Sequence, residues 1–132
     1  MQLIYIIPIA LGSILAFFLL LGLFMRLRAF SLKGTAAPSL AGYAGRLLKE
    51  SSTALLYFYT PNCGACGEMN TVVERLSTRN PNVLTVDIST DMETAKKFKI
   101  MATPTLVTVQ KGIIRNILIG PQSTATVEAQ LN

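Results

Sequence analysis

The chain has 132 residues, a formal net charge of +5, 51% hydrophobic residues, two cysteines and no histidine. That length suits one ordinary domain with a little to spare, and two cysteines do not build a disulfide framework. The absence of histidine excludes His-ligated metals, His general bases and Cys–His nucleophilic dyads. Of the 12 Lys and Arg residues, Arg26, Arg28 and Lys33 precede residue 37, and the rest nearly balance the 7 acids, all of which come later. No basic cluster with interleaved aromatics is present, so nucleic acid is not an expected partner.

Residues 1–25 contain no Asp, Glu, Lys or Arg. As a helix they would extend roughly 37 Å at about 1.5 Å per residue, enough to cross a hydrocarbon core of ~30 Å. A secretory signal would have a basic start, a shorter apolar middle and a small-residue cleavage site. None of these is convincing here, and the remaining chain is too small to bury such a helix. An uncleaved transmembrane helix over 1–25 is expected, making this a single-pass membrane protein. Arg26, Arg28 and Lys33 flank its C-terminal end, and the positive-inside rule then predicts a cytoplasm-facing domain, with an extracytoplasmic domain as the alternative. Residues 26–38 read as a basic juxtamembrane linker, containing Gly34 and Pro38.

A domain over 39–132 follows. Leu40, Tyr43, Ala44, Leu47 and Leu48 recur at helical spacing, with Ser39 as the expected N-cap. The run "TALLYFYT", 53–60, is a strand covered on both faces. After the cysteines, Met69, Val72, Val73 and Leu76 give a second helical face, ended by "NPN" at 80–82. Residues 83–88 form a strand and 90–98 a short helix capped by Thr90 or Asp91. Strands at 103–110 and 113–120 are joined by a tight turn at Lys111–Gly112, and 123–131 is a last short helix. Alternation of strands and helices near the cysteines predicts parallel strands there, with the last two forming an antiparallel hairpin.

Cys63 and Cys66 stand two residues apart, between a strand and a helix. The spacing predicts Cys63 at the end of the loop and Cys66 one turn into the helix, with the sulfurs on one face. The helix N-terminus favours a thiolate, so Cys63 would be a nucleophile and Cys66 the thiol that resolves its mixed disulfide. A zinc site needs four ligands, which one pair without histidine cannot supply. A two-thiolate copper(I) site with Met69 and a purely structural buried pair are the other readings of the same residues.

From residue 39 onward the chain resembles the thioredoxin family. The resemblance is carried by "ALLYFYT", the loop "PNCGAC", the helix after it, the "VDI" strand and "ATPTLVTVQKG" at 102–112. It implies a thioredoxin-like α/β fold, three layers around a central mixed sheet. It also implies a cis Pro104 facing the cysteines, with Thr103 before it as the residue that binds an extended substrate peptide. Three positions depart from the pattern. Asn62 stands for the usual Trp before the first cysteine, Gly64-Ala65 for Gly-Pro, and Tyr57 for a buried Asp that assists proton transfer to the second thiol.

The expected function is therefore a membrane-tethered thiol–disulfide oxidoreductase. Its catalytic pair would be Cys63 and Cys66, its motif loop Asn62, Gly64 and Ala65, and its substrate platform Thr103 and Pro104. No cofactor or metal is implied. The expected partners are protein thiols and disulfides, a reductase or membrane electron donor, and the lipid bilayer. The alternative is a thioredoxin-like accessory subunit of a larger membrane complex, which the missing Trp and Asp and the small residues Gly12, Ser13 and Gly22 of the apolar helix favour.

Overall fold

A computed structural model of the chain describes residues 1–132. It comprises two units, residues 1–31 and 32–132. The first is a single helix, α1, Gln2–Leu32. Its most apolar window has a mean hydropathy of 2.6 and no buried residue, so it is long and apolar enough to cross a membrane. It runs beyond Met25 through residues expected to be linker, because Arg26–Leu32 contain no glycine or proline and the next glycine after Gly22 comes only at Gly34.

The second unit begins with an extended strap. The Gly34 N–H donates to the Ile114 carbonyl (2.7 Å), the Ile114 N–H to the Thr35 carbonyl (2.9 Å) and the Ala37 N–H to the Gly112 carbonyl (2.7 Å). The rest of the expected linker is thus a bridged edge segment, with Ala36 paired to Ile113. This pairing also displaces the next helix. α2 spans Gly42–Glu50 with Ala41 as a cap that makes no side-chain bond. Ser39 does not cap it, because the chain turns into the helix only at Gly42, whose φ is +66°, after an extended Ala41.

The remaining elements are β1 (Ala54–Tyr59), a 3-10 turn (Gly64–Cys66), α3 (Gly67–Arg79), β2 (Val83–Asp87), α4 (Met92–Lys97), β3 (Thr105–Gln110), β4 (Ile113–Ile119) and α5 (Thr124–Ala129). Asp91 caps α4, its side chain accepting from the Thr94 N–H, and Ser123 caps α5 in the same way. Lys111 (φ 50°) and Gly112 (φ 77°) are both left-handed, the signature of a type I′ hairpin turn between β3 and β4.

The sheet order is β2-β1-β3-β4. β1 pairs parallel to β2, and β3 pairs antiparallel to both β1 and β4. Parallel pairing near the cysteines therefore stops at β2. A six-residue α4 rises only about 9 Å, whereas a five-residue strand runs about 17 Å. So short a helix does not carry the chain back across the sheet, and β3 starts at the end where β2 finished. Thr105 at its start pairs with Phe58 near the end of β1.

Side chains alternate across β1. Leu55 and Tyr57 join Met69, Val72 and Val73 of α3, Val83, Leu106 and Val127 of α5 in one buried cluster. Phe58 points the other way and packs on Phe98, just after α4, with ring centroids 5.6 Å apart. The sheet is thus a middle layer with α3 and α5 on one face. On that opposite face α4 and the buried Leu47 and Leu48 of α2 complete the core.

Gly45 is buried in α2 at a point where an added Cβ would meet the Leu40 carbonyl oxygen. Alanine is the better helix former by about 1 kcal/mol, but crowding a packed backbone contact costs about 1–3 kcal/mol. Gly45→Ala should lower stability by up to about 2 kcal/mol net in urea denaturation; a stabilised variant would contradict this packing.

Candidate active site

β1 ends at Tyr59, and the chain turns through Thr60, Pro61 and Asn62 to the first cysteine. The Cys63 N–H donates to the Thr60 carbonyl (3.2 Å) and the Cys66 N–H to the Cys63 carbonyl (3.2 Å). The segment between the cysteines is thus a 3-10 turn feeding α3. Cys66 is the N-cap of α3 rather than a residue one turn inside it.

Cys63 and Cys66 form a disulfide with Cα atoms 5.3 Å apart. Their surroundings differ. Cys66 is fully buried (0% exposed), whereas Cys63 is half-buried at the rim, flanked by exposed Asn62, Gly64 and Ala65. Exposed loop residues beside a buried sulfur leave one thiol of the pair accessible and the other sealed.

The second expected segment reaches the same end of the sheet. The Thr103–Pro104 peptide bond is cis, and the pair immediately precedes β3, whose first residue lies opposite Phe58. Pro104 is buried and Thr103 half-buried. The Pro104 carbonyl accepts from the Gly120 N–H (2.8 Å) beyond β4, and Thr105 Oγ1 donates to the Ala102 carbonyl (2.7 Å). Two segments some 40 residues apart are thereby brought to one end of the sheet by the direction of β3. Met101, on the same loop, is 51% exposed.

Met69 is not available beside the cysteines. It is buried in the core, and its sulfur accepts the Gln122 backbone N–H at 3.2 Å.

Tyr57 is buried on β1 beneath the start of α3. Its hydroxyl donates to Asn70 Oδ1 at 2.7 Å, with the Cys66 carbonyl oxygen as a second, longer acceptor at 3.4 Å. Its ring stacks on Tyr59, 5.6 Å between centroids and 9° between planes. A cleft of about 370 Å³ opens beside the pair, lined by Tyr57, Tyr59, Asn70, Glu74, Ser77 and Thr85. Burial, and then the neighbouring Tyr59, push the Tyr57 hydroxyl up from 10.0 to about 12. Asn70 was not among the residues expected at the site. Its signal was a polar residue four positions after Cys66, on the same side as buried Met69 and Val73.

Between pH 10 and about 12 the unfolded chain ionises Tyr57 while the folded chain does not. The contribution of this group to stability is whole below pH 10 and is lost as the pH rises to about 12. Ultraviolet titration of the native protein should show, in the difference between wild type and Tyr57→Phe, one phenol with a midpoint of about 12; a midpoint at the ordinary 10.0 would contradict its burial.

A family profile described as Thioredoxin matches residues 36–132. The chain is 28% identical over 95 residues to a thioredoxin of Mycobacterium tuberculosis, covering 70% of this chain and 82% of that one. It is 26% identical over 95 residues to a bifunctional thioredoxin reductase/thioredoxin of Mycobacterium leprae, covering 70% of this chain and 21% of that protein. Among solved structures it is similar to mitochondrial thioredoxin 3 from Saccharomyces cerevisiae in its oxidized form. That match has a TM-score of 0.55 and 26% identity, and covers 65% of this chain and 83% of the yeast chain.

Proposed function

The chain belongs to the thioredoxin family, and from that premise we propose that it is a membrane-tethered thiol–disulfide oxidoreductase acting on protein substrates. The observation that carries the reading is the Cys63–Cys66 disulfide at the start of α3, with one sulfur at the rim and the other sealed. In the reduced form Cys63 is the nucleophile. The positive end of α3 stabilises its thiolate, which attacks a substrate disulfide and displaces one substrate thiolate. Cys66, deprotonated, then attacks Cys63 Sγ and displaces the second substrate thiolate. The pair loses two electrons, the substrate gains them, and the two substrate thiolates take up protons from water. Thr103 and Pro104 serve as the platform for an extended substrate segment.

Reduction of the pair for another cycle requires an electron donor, and a reductase or a membrane electron-donor protein fits this need. The relative in M. leprae joins thioredoxin reductase and thioredoxin in one chain, which supports a reductase as partner. Helix α1 supports the tether, and Arg26, Arg28 and Lys33 on its C-terminal flank support a cytoplasm-facing domain. A second reading has the chain as a subunit of a membrane complex. It is favoured by a notch of about 220 Å³ on α1, lined by Phe18, Leu19, Gly22, Leu23 and Arg26, where a second helix can approach closely. Co-purification of a stoichiometric partner after mild solubilisation would support that reading, and recovery as a lone chain would oppose it.

In a disulfide-reduction assay Cys63→Ser should lose activity at least 1,000-fold, whereas Cys66→Ser should stall as a covalent complex with substrate, visible on a non-reducing gel. Retained turnover by Cys63→Ser would overturn the dithiol mechanism. In intact spheroplasts, a membrane-impermeant maleimide should leave the reduced Cys63 unmodified until the membrane is permeabilised. Labelling from outside would reverse the orientation.

A further inference from the structure

Once the disulfide opens, Cys66 keeps its burial at the start of α3 but loses its covalent tie to Cys63. A helix N-terminus lacks intrahelical partners for its first N–H groups and frays readily. Cys66 makes no side-chain cap there, nor does Cys63 at the preceding turn. Gly67 adds no side-chain packing. Resolution of a mixed disulfide nevertheless demands that Cys66 Sγ stand in line with the Cys63–substrate bond. Something outside the turn has to hold it.

The Tyr57 hydroxyl meets that need. β1 is paired on both sides, to β2 and to β3, so Tyr57 rises from a rigid strand. Its ring is fixed by burial and by the stack on Tyr59. Its O–H donates to Asn70 Oδ1 at 2.7 Å and lies 3.4 Å from the Cys66 carbonyl oxygen. Cys66 and Asn70 are four residues apart, so their positions stack along one side of the first turn. One hydroxyl thus bridges the ends of the turn that carries the resolving cysteine. The phenol keeps its proton, and hence its donor, up to about pH 12.

We propose that Tyr57, through Asn70 and the Cys66 carbonyl, is a positioning residue for the resolving step, holding the first turn of α3 in place while Cys66 Sγ attacks Cys63 Sγ. The proposal rests on the dithiol mechanism given above. It assigns Tyr57 no part in the first step, because the attack by Cys63 at the rim does not depend on where Cys66 stands. Nor is Tyr57 assigned any proton transfer.

The two steps can be read separately with an aryl disulfide, 5,5′-dithiobis(2-nitrobenzoate), mixed with the reduced full-length chain in detergent micelles. Attack by Cys63 releases one coloured thiolate and leaves a Cys63 mixed disulfide; attack by Cys66 releases the second and closes the Cys63–Cys66 bond. Tyr57→Phe, which keeps the ring and its burial, should leave the first phase within about twofold and slow the second about tenfold, the scale of a small misplacement. Asn70→Ala should slow the second phase likewise. The double variant should be no slower than the slower single, since both remove one bond. A second phase at the wild-type rate in Tyr57→Phe would overturn the proposal, and so would equal slowing of both phases, the mark of general loosening. If the wild type shows no first phase, the dithiol mechanism itself falls, and this inference with it.

Discussion

The start of α3 is packed against the middle of the sheet, and the chemistry of the site depends on that contact. Cys66 is fully buried there, the Tyr57 hydroxyl beneath it is bonded to Asn70, and Met69 and Val73 anchor the same helix face in the core. Cys63 lies one 3-10 turn earlier, where the chain has left the core for the rim. A single helix start therefore gives two cysteines three residues apart opposite environments. The two sulfurs are distinguished by depth before any charge effect is considered.

The sheet supplies the rest of the site by its direction. β1 takes partners on both sides, which makes it a firm base for Tyr57. The short α4 makes β3 run antiparallel, and that reversal delivers Thr103 and Pro104 to the end of β1 where the cysteine loop begins. On the far edge the strap from Gly34 to Ala37 covers part of β4. It occupies backbone groups that an open edge would present to other chains.

Much of this was legible in local pattern. The apolar run, the covered strand at 54–59, the helix of Met69, Val72 and Val73 and the Lys111–Gly112 turn each follow from short-range periodicity or turn chemistry. The order of elements could be read the same way, and the family resemblance it supports implied the cis Pro104 that the structure shows. What escaped local reading depended on contacts distant in sequence. The strap forms because β4 offers it an edge, and nothing in "KGTAAPS" signals a partner some 80 residues on. Ser39 has the side chain of a cap, but the helix starts three residues later, after Ala41. The direction of β3 turned on the length of α4 rather than on its presence. Tyr57 was legible as a departure from the family pattern, but its bond to Asn70 was not, because it joins a strand to a helix across the core.

The central claim is that one sulfur is reachable and the other sealed, and stoichiometric alkylation tests it most directly. The full-length protein would be reduced, treated with less than one equivalent of iodoacetamide per chain, digested and mapped by mass spectrometry. The account predicts modification almost wholly at Cys63, with Cys66 modified only after denaturation. Equal modification of the two, or preference for Cys66, would contradict it.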